Sequence, residues 1–307
     1  MILYRWQGSA RNFGDELNTI LWPRLLPDFF DDDPSARFLG IGSILDRRHA
    51  GPSRKLVAGA GYGGYEGTPT LDHAWDIRWV RGPRTARTLG LPPAAGLGDP
   101  AALLPFTNLI PSVPRSGVGF MPHFESVAGG AWTKVAAAVG VRLIDPRGDP
   151  LAIAKAIGGC EVLLSEALHG VIVADTFGVP WIAIQPLAPV HRAKWHDWAD
   201  TLNLRVAFQH LSASSLWERA RHSRLAQFHA GRALLETYRH RWPDLGSRSF
   251  LDQAAGALSR AAASTPQLSG RSALDRSQSQ MLGCLDQLRR AYLRPGGGSA
   301  YHRSRPG

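Results

Sequence analysis

Ser165, Glu166 and His169 bring a hydroxyl, a carboxylate and an imidazole together in one short stretch, VLLSEALHGVIVADTFGVPWIAIQ. An imidazole titrates near working pH, so His169 is a candidate for moving protons. The surrounding residues say where that chemistry would sit. Val162-Leu163-Leu164 has the length of a buried strand. Leu168, Val171, Ile172 and Asp175 follow helical spacing, Gly178 stops the helix, and Trp181–Ile184 is a second apolar run. Strand, polar turn, helix and strand make a βαβ unit. The turn after its first strand lies at the carboxyl edge of a parallel sheet, where open α/β folds bind ligands. The competing reading of His169 is a helix residue that caps or packs.

Other candidates fall at similar positions. Asn12-Phe13-Gly14-Asp15-Glu16 precedes the apolar positions Leu17, Ile20, Leu21 and Leu25, after a short first strand. A glycine-containing turn into a helix leaves N–H groups that favour anions. Taken alone, Asn12 as a helix cap with Asp15 and Glu16 on the dipole is the simpler account. Arg81 follows the strand DIRWV directly, and Arg84 comes three residues later; arginine suits fork-like binding of phosphate or carboxylate. His123 lies just after the strand Gly117–Met121. Beyond Gln185, His191, Arg192, Lys194 and His196 crowd a predicted loop and helix start. GAGYGG lacks the spacing of a dinucleotide-binding fingerprint, and a plain loop explains it as well as a ligand loop does.

The elements that must position these residues form two α/β patterns. The proline-containing stretch Pro105–Arg115 separates them, which divides the chain into 1–112, 113–262 and a Ser-, Arg- and Gly-rich tail, 263–307. A helix is expected over Ser212–His240 and another over Phe250–Ala262. Within the tail only a short helix, Gln280–Leu293, is expected, and the tail lacks the apolar content for a core of its own.

Composition bounds the function. The 307 residues are 44% hydrophobic and 20% charged, with 35 basic against 25 acidic residues, a formal charge of +10. No apolar run has the length of a membrane span, and the N-terminus lacks the pattern of a signal peptide, so a cytoplasmic location is expected. Two cysteines, Cys160 and Cys284, argue against a disulfide framework or a cysteine metal site, and the His and acidic residues show no metal-ligand spacing. The positive excess is nearly all arginine and forms no dense run. No nucleic-acid-binding signature accompanies it, so nucleic acid is not an expected partner. An anionic substrate, or an anionic membrane surface met by the tail, accounts for the charge.

In order, NFGDE, VRGPRTA followed by LGDPA, MPH, and SEALHGVIVADTFGVPWIAI resemble the polysaccharide pyruvyltransferase family, in particular its bacterial exopolysaccharide members of the succinoglycan and xanthan type. The resemblance spans roughly Met1 to Leu204. It implies a GT-B-like α/β architecture, with two Rossmann-like domains facing a central cleft. It also implies an enzyme that moves an enolpyruvyl-derived group from phosphoenolpyruvate to sugar hydroxyls, giving a pyruvate ketal, with no cofactor beyond that donor substrate. On that basis His169, Asp15 and His123 are expected to do the chemistry. Asn12, Gly14, Arg81, Arg84, Ser165, Glu166, Arg192 and Lys194 are expected to bind substrate. The family motif commonly has Arg after SE; here that position is Ala167, and Arg192 or Lys194 is expected to replace the lost charge.

The implied acceptor is a lipid-linked oligosaccharide, met by a protein at the inner face of the cell membrane. Two alternatives stand beside this reading. One is a glycosyltransferase using a nucleotide sugar on the same architecture; the other is a non-catalytic carbohydrate-binding protein of polysaccharide assembly.

Overall fold

The computed structural model describes residues 1–8, 10–186, 191–221 and 247–292. Short apolar runs followed by glycine-bearing turns become strands of two parallel sheets. The first holds β1 (Ile2–Tyr4), β2 (Ala36–Leu39), β3 (Arg54–Ala58) and β4 (Trp75–Trp79) in sequential order. The second holds β5 (Val118–Met121), β6 (Arg142–Leu143), β7 (Val162–Ser165), β8 (Trp181–Ile184) and β9 (Phe208–Gln209). Its order is β6-β5-β7-β8-β9, and every pairing is again parallel. The fold is therefore α/β with parallel sheets. β2 stops at Leu39, and the chain turns through Gly42 at φ +136°.

Helices connect the strands, as parallel pairing requires. They include α1 (Phe13–Leu25), α2 (Pro83–Thr88), α3 (Phe124–Gly129), α4 (Trp132–Ala138), α5 (Pro150–Gly158), α6 (Leu168–Thr176) and α7 (Arg192–Thr201). A 3-10 helix, Pro100–Thr107, packs between α1 and α6. Of the long helix expected over Ser212–His240, the described residues include α8 (Leu216–Arg221), and 222–246 lie outside them. The helix expected at Phe250 starts at Ser247 and runs to Ala262.

The tail differs most from expectation. Arg271–Tyr292 is a single helix of 22 residues, and its Leu274, Met281, Leu285, Leu288 and Tyr292 are buried in the main core. Its polar groups are also engaged. Ser277 Oγ donates to the Leu97 carbonyl (2.6 Å), Gln278 Nε2 to the Ala102 carbonyl (2.8 Å), and Arg289 to the Leu25 carbonyl (2.6 Å). The segment has few large apolar residues, but they recur on one helical face and need no core of their own, because they complete an existing one. Residues 293–307 lie outside the described residues. Among the described residues no helix is long and apolar enough to cross a membrane.

Candidate active site

The residues that follow β1, β2, β5, β7 and β8 close around a cavity of about 320 Å³. Asn12, Gly14, Asp15, His123, His169 and Lys194 all line it, together with Ala167, Ser43, Arg48, Tyr65, Glu125 and His191. The site thus draws on the carboxyl edges of strands from both sheets, where ligands bind in open α/β folds.

His169 lies in the first turn of α6 and is held on two sides. Gly14 faces its ring so closely that a Cβ there would stand 2.0 Å from Nδ1. On the other side, His169 Nε2 is 3.4 Å from Asp99 Oδ2. Neither of these two buried atoms has a hydrogen-bond partner among the described residues. The distance is long for a hydrogen bond, and such contacts often tighten when substrate binds. Asp99 is fixed by its own backbone setting. Its other oxygen accepts from the Ala101 N–H (3.0 Å) at the start of the 3-10 helix. Gly98 before it has φ +147°, a region that favours glycine, and a Cβ there would meet Ser277 Oγ at 2.4 Å. Burial pushes the Asp99 carboxyl up. The charge of His169, the contact with it, the Ala101 N–H and Arg81 outweigh burial and hold it below the usual carboxylate range.

Asp15 sits across from this pair. Asn12 occupies the cap position of α1, but its side chain makes no cap bond; Nδ2 donates instead to Asp15 Oδ2 at 2.7 Å. The simple capping account of Asn12 therefore fails, and both side chains serve the cavity. Burial raises the Asp15 carboxyl pKa, opposed by the Asn12 bond and by the charges of His169 and Lys194.

The two cations proposed to replace the family arginine separate. Arg192 and Lys194 lie on the regular helix α7, where residues two apart diverge. Lys194 enters the cavity beside Ala167. Arg192 does not line it and lies against the side-chain amide of Gln185. Burial pushes the Lys194 amine down to about 8, and Arg81 adds to that; Asp15, Glu125 and Glu166 oppose it.

Four other residues expected to bind substrate do not line the cavity. Arg81 is 1% exposed and fully engaged, with Nε on Asp197 Oδ2 (3.0 Å), one amino group on Ser43 Oγ (2.7 Å) and the other on the Tyr62 carbonyl (3.2 Å). It sits behind the wall of the cavity. Arg84 pairs with Asp200 at 2.8 Å on the surface. Ser165 is fully buried and ties its own turn, bonding Met121, Ala167 N–H and the Ala167 carbonyl. Glu166 accepts the backbone N–H of His123 (2.9 Å), so it holds the β5 loop in place without lining the cavity.

Asp197 explains how α7 is aimed. Its carboxylate accepts from Arg81, from the backbone N–H groups of Arg84 and Thr85, and from Thr85 Oγ1. It thereby caps α2, whose own cap residue, Gly82, has no side chain to do so. This clasp fixes Lys194 one turn earlier on the same helix.

Glu125 is not singled out in the sequence, and His191 is read there only as part of a cationic cluster. Glu125 and His191 join His123, with His191 Nε2 3.2 Å and His123 Nδ1 3.6 Å from Glu125 Oε2. Tyr65 Oη lies 3.0 Å from His191 Nδ1. They come from segments 66 residues apart, measured from Glu125 to His191, so no local signal could have joined them. Asp99 did carry a signal. Asp-Pro after a glycine reads as a helix start, and the cap it forms leaves its second oxygen free for His169.

The arrangement supplies a proton-transfer imidazole with a carboxylate behind it, a second carboxylate, and an ammonium group. It suits an anionic substrate that is protonated during reaction. Residues 66–186 match the family described as polysaccharide pyruvyl transferase. That segment contains Arg81, Asp99, His123 and His169; Asp15, His191 and Lys194 lie outside it. The chain is also 41% identical over 208 residues to the succinoglycan biosynthesis protein ExoV of Rhizobium meliloti (strain 1021), a match covering 66% of this chain and 65% of that relative's length. Residues 66–186 thus match the family that the motifs of the chain resemble, and the chain spans 65% of the length of the relative it matches.

Proposed function

We propose that the protein transfers an enolpyruvyl-derived group from phosphoenolpyruvate to a sugar of a bacterial exopolysaccharide repeat unit, closing a pyruvate ketal. The observation that carries this reading is the convergence of the His169–Asp99 pair, Asp15 and Lys194 on one cavity. Such a donor brings a carboxylate and a phosphate, and needs a cation to bind it and an acid to start its chemistry. The two sheets are read as the Rossmann-like halves of a GT-B-like enzyme, divided near residue 112.

In this mechanism Lys194 holds the anionic donor. His169, oriented by Asp99, gives a proton to the methylene carbon, and the C2 centre becomes oxocarbenium-like. One sugar hydroxyl attacks C2 and forms the first C–O bond. The C2–O bond to phosphate then breaks, and the second hydroxyl closes the ketal. Two hydroxyl protons are released: one replaces the proton given to the methylene, and the other leaves with phosphate. Asp15 and His123 are placed to accept or orient these protons. The acceptor is a lipid-linked oligosaccharide, reached by a protein at the inner face of the membrane.

The test is phosphate release from phosphoenolpyruvate by the purified chain. Release should depend on a lipid-linked oligosaccharide and fall about 10²-fold or more in His169→Ala. Equal release with and without acceptor, or from His169→Ala, would refute it.

A further inference from the structure

We infer that His123, Glu125 and His191 form a binding site for a divalent transition-metal ion of the zinc type, open to the cavity. The three ligating atoms all lie within 4.8 Å of one another. Two zinc–ligand bonds of about 2.1 Å at a near-tetrahedral angle put their ligand atoms about 3.4 Å apart. The two distances to Glu125 Oε2, 3.2 and 3.6 Å, lie on either side of that value. Small rotations about side-chain bonds would bring all three onto one ion.

The donor set selects the kind of ion. Two imidazoles and one carboxylate suit zinc and its neighbours, whereas magnesium and calcium take oxygen ligands. Three protein ligands leave coordination positions unfilled, as in zinc sites that meet substrate. All three residues line the cavity, so those positions face its interior.

The surroundings behave like the outer shell of a metal site. Tyr65 Oη lies 3.0 Å from His191 Nδ1, which leaves Nε2 directed at Glu125. Glu166 holds the backbone N–H of His123 at 2.9 Å and fixes the loop that carries it. The rings of His123 and His191 stand 4.6 Å apart at 33°, side by side, with one nitrogen of each near the same carboxylate oxygen. The residues come from the loop after β5, from α3 and from the start of α7, so the site forms only in the folded chain. The inference goes beyond the donor reading, because it rests on these side chains and not on the identity of any substrate.

The test uses the full chain, stripped of metal, and Zn²⁺ alone. Calorimetric titration should give one ion per chain. His191→Ala and Glu125→Gln should each weaken binding at least tenfold. Tyr65→Phe, which removes only a hydroxyl, should weaken it by roughly tenfold. His196→Ala, outside the cluster, should bind like the parent. Co²⁺ added instead should give visible d–d absorption that is lost in His191→Ala, with far-UV circular dichroism confirming that each variant is folded. No stoichiometric binding by the parent, or equal binding by His191→Ala and Glu125→Gln, would overturn the inference.

Discussion

His169 Nε2 and Asp99 Oδ2 face each other at 3.4 Å, and neither atom has a hydrogen-bond partner among the described residues. Asp99 keeps its carboxyl ionised against its own burial and so favours an N–H on that side of the imidazole. It is a positioning residue for His169. Asp99→Asn preserves the helix cap on Ala101, because asparagine caps as well as aspartate, but it loses the charge that orients the ring. Turnover should fall by about 10²–10⁴-fold with little change in KM for phosphoenolpyruvate or in Tm. Steady-state kinetics with a melting curve checks this. A large loss of Tm would mean that Asp99 serves the fold alone.

Lys194 should control donor binding and its pH dependence. Removing a cation from a desolvated anion costs about 2–5 kcal/mol, so Lys194→Ala should raise the Kd for phosphoenolpyruvate by roughly thirtyfold or more. In the parent the amine is charged below about pH 8 and loses its proton above it. Affinity should therefore decline as pH rises through 8, while Lys194→Arg holds its affinity flat across the same range. Without donor the sign for folding is opposite. The unfolded lysine keeps a proton that the folded one sheds, so stability rises from about pH 8 towards the ordinary lysine value. Fluorescence titration of the donor at several pH values reads the binding effect directly.

Arg81 should prove to be a residue of the fold. It and Asp197 form a buried pair with side-chain exposures of 1% and 3%. Breaking such a pair by removing one partner typically costs about 3–5 kcal/mol. Arg81→Ala should lower stability by that order in a denaturant titration. A variant of full stability that has lost only donor affinity would return Arg81 to the substrate.

The helix Arg271–Tyr292 should be needed for stability and for the site. Leu285 is fully buried, and Leu285→Ala should cost about 2–5 kcal/mol. Because Ser277 and Gln278 hold the carbonyls of Leu97 and Ala102 on either side of Asp99, removal of the helix should depress turnover together with the unfolding midpoint. A chain ending before Arg271 that melts like the parent would show the helix to be dispensable.

Much of this was legible in the chain because local pattern and long-range outcome agree. The βαβ unit around His169 is written in apolar spacing and a stopping glycine, and the cavity forms at the edge that such a unit implies. Gly14, Asp15, His123 and Lys194 were reachable in the same way, each placed near a predicted strand end or helix start. The burial of Arg81 was not legible, because its partner, Asp197, lies 116 residues away and nothing local announces it. The tail helix was misread because its bulk composition is polar, while its apolar residues, few as they are, share one face. The group of His123, Glu125 and His191 depends on loop closure from three segments and leaves no spacing signature.

The most direct test is to run the reaction in D₂O with phosphoenolpyruvate and the lipid-linked oligosaccharide, and to weigh the acceptor by mass spectrometry. The expected product is an acceptor heavier by one pyruvate ketal whose methyl group carries a single solvent-derived deuterium, with none formed by His169→Ala. An acceptor of unchanged mass, a product without deuterium in that methyl group, or normal product from His169→Ala would contradict it.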